Sequence, residues 1–470
     1  MRYLSSLIVS ATLLAAAAPA SAQLPADTLP LTVGQAVVRA LEVGEEAALA
    51  REQMELAETQ ITQARSGAFP QLNASVRYDR ALRSVFDIGA PAPQDPPPDG
   101  PPPIDIGELF GDLPFGQPNT WIASLSIGQA VYTGGRIQTA LEIARLARSA
   151  TLLNLGEVEA EVARDVREAY FQAVFAESLV AIAEEAYALA DQQLRQVESL
   201  YRQGVAPEFE VLQARVERDN QEPQVIEARN ARELAAVNLK RLVNIPQEQE
   251  VELITPLAVR VTEVDRAAVM EAALARPALR AAEEQVRIQE GTVRLAQAER
   301  MPTVSAFGNF SFQAFPEGLV PTGLPGGSQW REDWGIGFQV SIPVFEGFRT
   351  RGAIQESQSN VRQAELQQAQ LREGVEMQVA AAFAEHESSR AQIEARRATV
   401  EQAQRGLSLA ELRYENGLST LIEVSNARLL LQQARLNEAD ALFSYLSALA
   451  ALEYATGGQL QLVDPLLTPQ

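Results

Sequence analysis

Two stretches, YRQGVAPEFEVLQAR at residues 201–215 and YENGLSTLIEVSNAR at residues 414–428, interrupt what is otherwise a long helical pattern. They stand at an offset of 213 residues. Six positions are identical at that offset: Tyr201/Tyr414, Gly204/Gly417, Glu210/Glu423, Val211/Val424, Ala214/Ala427 and Arg215/Arg428. Glycine permits the left-handed backbone that a tight reversal between helices needs. Each stretch therefore predicts the tip of a helical hairpin, near 204–207 and near 417–420.

The repetition extends well beyond the two tips. Residues 36–72 parallel residues 268–304, and QAVYTGGR (129–136) parallels IPVFEGFR (342–349). The first copy is the longer one, and its extra length lies in a proline-rich segment at 89–103 that we interpret as an extracellular loop. We divide the chain into a first structural repeat at 23–262, a second at 263–456 and a C-terminal tail at 457–470.

The N-terminal residues and the composition point to an exported protein. Residues 1–22 have the charge, apolar run and small-residue end, Ala20-Ser21-Ala22, of a secretory signal peptide. The chain has no cysteine, so we expect no disulfide, no thiolate metal site and no lipid anchor of the bacterial lipoprotein kind. A net charge of −22 argues against nucleic acid as a partner, because both would be anionic.

Four segments alternate apolar and polar residues with the period of a β-strand, near 70–80, 120–132, 302–314 and 333–345. Runs of this length suit a membrane β-barrel with one lipid-facing side, although a soluble antiparallel sheet also has one apolar face. Aromatic residues at both ends of the strands favour the membrane, because such rings concentrate at its two interfaces. These residues are Trp121, Trp330 and Trp334 at the loop end, and Tyr132 and Phe345 at the other end.

The segments before the tips carry a heptad pattern, which predicts long packed helices. From Gly135 to Gln203 such a helix would measure roughly 100 Å. Ser419 and Thr420 are candidate N-caps of the second returning helix, and Pro207 suits the first turn of the first one. The heptad positions are Val180, Ala183, Tyr187, Ala190, Leu194, Val197 and Tyr201, and 213 residues on Ile393, Arg396, Val400, Ala403, Leu407, Ala410 and Tyr414.

Four strands cannot close a barrel, and a sheet edge exposed to lipid is not tolerated. We therefore expect several copies of the chain to contribute strands to one barrel. The strand pattern alone does not decide whether two, three or four chains form the barrel. Pro70 and Pro302 stand where helix gives way to strand, and Gly134 and Gly347 where strand returns to helix, so the barrel and the helices should join end to end.

The duplicated helix–strand–strand–helix–helix unit, the junctions SIPVFEGFR and QAVYTGGR, and the tips YENGLSTLIEV and YRQGVAPEFEV resemble the TolC-like outer-membrane efflux and secretion channels, the outer membrane factors. The resemblance covers essentially the whole chain after the signal peptide. It implies a mixed fold, a membrane β-barrel plus a long α-helical coiled-coil barrel. In that fold a homotrimer forms a 12-stranded barrel in the outer membrane and a tunnel across the periplasm.

The resemblance also implies a function and partners. The protein would be a passive exit duct, with no enzymatic activity and no cofactor. It would dock to a periplasmic adaptor (membrane fusion protein) and an inner-membrane RND or ABC transporter, serving either efflux or type I secretion. The sequence does not separate these two uses. Adaptor docking would fall to the tip residues Gly204, Val205, Ala206, Gly417, Leu418 and Ser419.

Two further sets of residues follow from the resemblance. Glu423 and Asn426 align with acidic rings at a closed entrance, and because Asn426 is not acidic we expect weaker cation selectivity. The alternative is that Glu423 only stabilises the N-terminus of its helix. Arg215, Arg413, Tyr414 and Arg428 are candidates for a latch that holds the entrance closed, and ordinary packed or solvated side chains are the alternative.

His386, the only histidine, stands between acidic residues, and we interpret it as a solvated surface residue. A lone imidazole without cysteine predicts no metal site.

A different class of protein, a trimeric coiled-coil stalk with a structural or adhesive role on a barrel anchor, would carry its strands at one end of the sequence. Here the strands interrupt the helices in both halves, which favours the duct.

Overall fold

The computed structural model describes residues 28–82, 118–257, 261, 263–316 and 318–463. The signal peptide predicted at 1–22, the proline-rich loop predicted at 89–103 and the last residues of the predicted tail lie outside this range. In chain order the elements are β1 (Leu29–Leu31), α1 (Val33–Val43), α2 (Glu45–Ser66), β2 (Gln71–Arg80), β3 (Asn119–Tyr132), α3 (Arg136–Arg202), α4 (Glu208–Leu242), β4 (Val251–Leu253), α5 (Arg266–Leu274), α6 (Pro277–Ala298), β5 (Thr303–Ala314), β6 (Trp330–Ser341), α7 (Arg349–Glu415) and α8 (Leu421–Ala455).

Two long helical hairpins dominate the described chain. The ascending helices α3 and α7 have 67 residues each, which corresponds to about 100 Å. The returning helices α4 and α8 have 35 residues each. Helix α3 packs along α4, α7 packs along α8, and α8 also packs on α3, so the hairpins lie side by side. The predicted heptad positions Leu194, Val197, Ile393 and Leu407 are buried, which confirms the packed seam.

The four longer strands form one antiparallel sheet in the order β2-β3-β5-β6. The fourth strand begins at Trp330 and ends at Ser341, earlier than the 333–345 segment that alternation indicates. Pro343 has no backbone N–H to donate, so the chain leaves the ladder before it. The alternation at 342–345 therefore does not mark a strand.

A second, two-stranded parallel sheet pairs β1 with β4, Leu29 opposite Val251. Strands of three residues are too short to show a period, so sequence alternation does not reveal them. The hydroxyl of Tyr170 on α3 donates to the carbonyl of Leu31 at 2.9 Å and accepts from the backbone N–H of Thr255 at 2.8 Å. Tyr170 lies in the largest apolar core, which α1, α3 and α8 build together.

The sheet joins the helices through short junctions. Gly134 has φ +63 and Gly347 has φ +60, the left-handed conformation in which glycine carries no steric cost. A Cβ on Gly134 would also lie 2.4 Å from the Cβ of Met301. The two junctions thus place strand and helix close together without a linker. Among the described helices, none is long and apolar enough to cross a bilayer.

Candidate functional site

The two tips have the same backbone geometry. Gly204 has φ +77 and Gly417 has φ +70, as predicted. The N–H of Val205 donates to the carbonyl of Leu200 at 2.9 Å, and the N–H of Leu418 donates to the carbonyl of Arg413 at 2.8 Å. This six-to-one bond after a left-handed glycine is the Schellman ending of a helix.

The predicted docking residues lie on these turns. Val205 and Leu418 are each 71% exposed, Gly204 and Gly417 are exposed, and Ala206 and Ser419 are half-buried. Each tip therefore presents one exposed aliphatic side chain.

The returning helices begin differently from what the sequence indicates. Thr420 occupies the N-cap of α8, but its side chain accepts no capping hydrogen bond. Ser419 Oγ donates instead to the carbonyl of Ala410 at 3.4 Å. Pro207 is the N-cap of α4 rather than part of its first turn, and Glu208 and Glu210 follow it. The acidic residues, not the hydroxyls, therefore complement the positive end of each helix.

Glu423 and Asn426, the predicted constriction, lie one turn apart at the start of α8. Both are exposed. Glu423 forms no ion pair with any described residue. Asn426 lines a groove of about 330 Å³ between the two hairpins, together with Glu185, Glu217 and Arg428. Among the described residues, the predicted constriction acid therefore has no cationic ion-pair partner.

The predicted latch residues divide into two pairs. Tyr414 and Arg428 bridge the hairpins: the Tyr414 hydroxyl donates to Glu210 Oε2 at 3.4 Å, and Arg428 Nη1 donates to the carbonyl of Leu189 at 3.2 Å. Burial, and then the neighbouring Glu210 carboxylate, raises the pKa of Tyr414, so its hydroxyl keeps its proton.

Arg215 and Arg413 do not bridge the hairpins. Arg215 Nη2 donates to Glu198 within the first hairpin at 3.1 Å, and Arg413 Nη2 donates to the carbonyl of Leu418 within the second tip at 3.4 Å. Arg428 makes the equivalent bond to Glu411 at 3.0 Å in addition to its bridge. Arg215 and Arg428 occupy equivalent positions in the repeat, so the sequence alone does not show that only Arg428 bridges the hairpins.

Further polar contacts cross between the hairpins, and the sequence analysis did not find them. Ser425 Oγ donates to Glu217 Oε2 at 2.6 Å, and Gln432 Nε2 donates to Gln224 Oε1 at 3.2 Å. Arg435 pairs with Glu185. These residues recur along one side of α8, one to two turns apart, but polar spacing of this kind is common on solvated helices. No sequence signal distinguishes them.

The sheet has one polar and one apolar face, fixed by its register. Ser75 lies opposite Ser124, Ser124 opposite Ser311, and Ser311 opposite Asp333. The hydroxyls of Ser75 and Ser124 are 2.8 Å apart. The neighbouring row on the same face is Asn73, Ser126, Asn309 and Gly335. In these two rows small residues, all of them polar except Gly335, cross all four strands.

The predicted interfacial aromatic residues lie toward the two ends of the apolar face except Trp334, whose row, through Phe310 to Leu125, lies near the middle of the strands. Trp121 lies opposite Ala314, Ala314 opposite Trp330, and Trp334 opposite Phe310. At the helix end Tyr132 pairs with Val304 after a register shift between Ala130 and Tyr132. Phe345 follows β6 and is 75% exposed. Strict alternation would place Tyr132 on the polar face, and the bulge moves it to the apolar one.

His386 is not a solvated residue, which corrects the sequence interpretation. It is 1% exposed, with its ring centroid 5.2 Å from that of Tyr445. Both ring nitrogens are buried without a hydrogen-bond partner among the described residues. Helix α8 covers the face of α7 on which His386 lies, a tertiary contact that flanking glutamates do not reveal. Within the described chain, no group of His, Asp and Glu could hold a metal ion.

The sequence was compared with protein-family models and with curated proteins. The family model described as "Outer membrane efflux protein" matches residues 37–244 and 268–458. No curated protein sequence matches the chain.

Solved structures of similar fold include the Campylobacter jejuni CmeC outer membrane channel, with a TM-score of 0.74 and 20% identity over 92% of this chain and 87% of that one. The outer membrane protein VceC of Vibrio cholerae has a TM-score of 0.71 and 18% identity over 91% and 96%. The open Neisseria gonorrhoeae MtrE outer membrane channel has a TM-score of 0.68 and 19% identity over 91% and 89%. At these identities the likeness establishes the fold.

Proposed function

The chain belongs to the outer membrane efflux protein family, and on that basis we propose that it is the passive exit duct of a tripartite efflux or type I secretion system. The observation that carries the proposal is the sheet, whose polar face is continuous across four strands and whose apolar face is bounded by aromatic residues. A barrel built from this sheet has a hydrated lumen and a lipid-facing exterior.

We propose that three subunits together close a 12-stranded barrel. Each subunit would contain two repeats of one structural unit. Strands β2 and β6 are the edges of the sheet and have no hydrogen-bonded neighbour on their outer sides among the described residues. Membrane-embedded sheet edges must be paired, so β2 of one copy would pair with β6 of the next. The number three rests on the resemblance to TolC-like channels.

The hairpin tips are the proposed docking surface for a periplasmic adaptor. The exposed side chains of Val205 and Leu418 would supply apolar contacts, and the left-handed conformation of Gly204 and Gly417 sets the position of both. The adaptor would connect the duct to an inner-membrane RND or ABC transporter. A gene for a proton-driven pump beside this one would indicate efflux, and a gene for an ATP-binding transporter with a secreted polypeptide would indicate type I secretion.

We place the constriction at Glu423. One exposed, unpaired carboxylate per subunit, repeated about the symmetry axis, gives an anionic ring that favours cations. Asn426, one turn further, contributes amide groups rather than a second ring of charge. The selectivity should therefore be lower than two acidic rings would give.

Single-channel conductance in a planar bilayer tests the duct and the constriction together. The purified protein should give a small, cation-preferring conductance, and Glu423→Ala should lose the preference. Glu208→Ala is the matched control, because it removes an exposed first-turn acid at the other tip. An unchanged preference in Glu423→Ala would return this residue to helix stabilisation. No conductance from a folded oligomer, even with Arg428→Ala at the tips, would contradict the duct.

A further inference from the structure

The loop between β5 and β6, residues 318–329, folds back onto the end of β3 and is held there by side chains. Asn119 Nδ2 donates to the carbonyl of Gly318 at 3.0 Å, and Trp121 Nε1 donates to the carbonyl of Leu319 at 3.0 Å. Asn119 is itself 6% exposed, and its Oδ1 accepts from the Tyr78 hydroxyl at 2.9 Å. The start of the loop is therefore fixed to the sheet.

The register shows on which side of the sheet the loop is held. Trp121 pairs with Tyr78 on one neighbouring strand and with Ala314 on the other, and its ring centroid lies 4.9 Å from that of Tyr78. Asn119 is two residues away on the same strand, so its side chain lies on the same face. This is the apolar face, which also carries Phe310 and Trp334.

The loop presents aliphatic side chains and no charge. Leu319 is 59% exposed, Val320 is 64% exposed and Leu324 is 83% exposed. Residues 318–330 contain no Asp, Glu, Lys or Arg, in a chain whose net charge is −22. Three large exposed aliphatic residues without an intervening charge are unusual for a loop that faces only water.

Hydrogen bonds within the loop order its backbone between residues 322 and 329. The N–H of Thr322 donates to Gln329 Oε1 at 2.8 Å, and the N–H of Gly327 donates to the carbonyl of Leu324 at 3.0 Å. Gly323 and Gly326 adopt φ of +90 and +96, which lets the chain reverse twice within a short span. Leu324 therefore begins an ordered turn whose central residues are Pro325 and Gly326.

We propose that this loop is a membrane contact, in which Leu319, Val320 and Leu324 enter the outer leaflet beside the tryptophans of the sheet. The loop continues the apolar face beyond the last strand pair, and lipid is what covers that face in the proposed duct. Irregular backbone is not tolerated in the hydrocarbon core, so the contact lies at the boundary between headgroups and acyl chains. The inference rests on the proposed function, because it requires the sheet to be in the membrane.

Site-specific fluorescence tests the contact directly. The chain has no cysteine, so each introduced thiol is unique. Leu324→Cys would be labelled with bimane and the full-length oligomer reconstituted in phosphatidylethanolamine–phosphatidylglycerol vesicles. Shallow doxyl-labelled phosphatidylcholine then reports lipid contact, and aqueous iodide reports water. Phe338→Cys on the apolar face of β6 and Leu418→Cys at the second tip are the two controls.

We expect the probe at Leu324 to be quenched by the doxyl lipid, as at Phe338, and the probe at Leu418 to be quenched by iodide alone. Quenching at Leu324 by iodide alone would overturn the inference, and so would protection from both quenchers, which would indicate burial against protein. If Phe338 is also untouched by the doxyl lipid, the sheet is not in the membrane and the proposed function itself fails. The two failures are thereby distinguished.

Discussion

His386 is the one side chain of this protein whose ordinary pKa lies near neutrality, and it is enclosed between α7 and α8. Burial lowers the pKa of His386, the nearby Arg390 lowers it further and Glu387 opposes them. The ring of Tyr445 covers it from α8. The imidazole is therefore kept neutral in the folded state.

This burial links stability to pH. An exposed imidazole in the unfolded chain takes up a proton as the pH falls below about 6.5, whereas the folded chain resists it. The free energy of unfolding should therefore fall as the pH drops below about 6.5, by about 1.4 kcal/mol for each unit of pKa depression. His386→Leu should remove this component. Thermal unfolding in detergent at pH 7.5 and pH 5.0 measures it, and equal losses in both proteins would contradict the prediction.

Arg428 and Arg215 are equivalent residues with one difference. Each donates to a glutamate within its own hairpin, but only Arg428 also reaches Leu189 on the other hairpin. A hydrogen bond from a charged donor is worth about 1.5–3 kcal/mol. Arg428→Ala should therefore shift the entrance toward opening roughly ten- to hundredfold, and Arg215→Ala should not. The open fraction in single-channel recordings is the readout, and equal effects would argue against a latch at Arg428.

At the scale of elements, the tips depend on glycine for backbone conformation alone. A Cβ on Gly204 or Gly417 would meet no atom within 4 Å, so the cost of alanine is that of the left-handed conformation, about 1 kcal/mol. Gly406, inside α7, also has open space around it but is helical. Gly406→Ala should stabilise by about 0.5–1 kcal/mol, opposite in sign to Gly417→Ala. Denaturant midpoints compare them, and a shared sign would contradict this account.

The elements differ in how far the sequence predicts them. The tips are predictable because a left-handed turn leaves a local requirement, glycine, at a fixed place. The bulge that turns Tyr132 to the apolar face, the short strands β1 and β4, and the burial of His386 are not predictable. Each depends on a partner distant in sequence, such as Val304, Val251 or Tyr445. The bridge from Arg428 to Leu189 belongs to the same group.

At the scale of the whole molecule, the two faces of the sheet should respond differently to charge. Phe338 lies on the apolar face and its neighbour Gln339 on the polar face. A cation facing lipid costs about 2–4 kcal/mol near the midplane. Phe338→Arg should therefore reduce assembly in the outer membrane, while Gln339→Arg should assemble normally. Heat-modifiable migration of the oligomer is the measurement, and normal assembly of both variants would contradict the assigned faces.

Membership of the outer membrane efflux protein family confirms the resemblance that the tips and junctions indicate. It was recognisable because the tip and junction motifs each occur twice at fixed spacing, so one accidental match would not produce the pattern. The number of subunits in the barrel, unlike the family, cannot be read from such motifs. It depends on the tilt and curvature of a closed sheet, which no residue type encodes locally, and it stays a prediction.

The equal lengths of the two hairpins restrict which insertions and deletions the chain can accept during evolution. Helices α3 and α7 have 67 residues each and α4 and α8 have 35 each, and residues of opposite hairpins meet in register near the tips. Inserting seven residues into both helices of one hairpin would advance its tip by about 10 Å past its neighbour. Tyr414 would then face a different turn of α4, and Arg428 a different turn of α3. Descendants with a longer or shorter rod should therefore carry matched insertions or deletions in both halves.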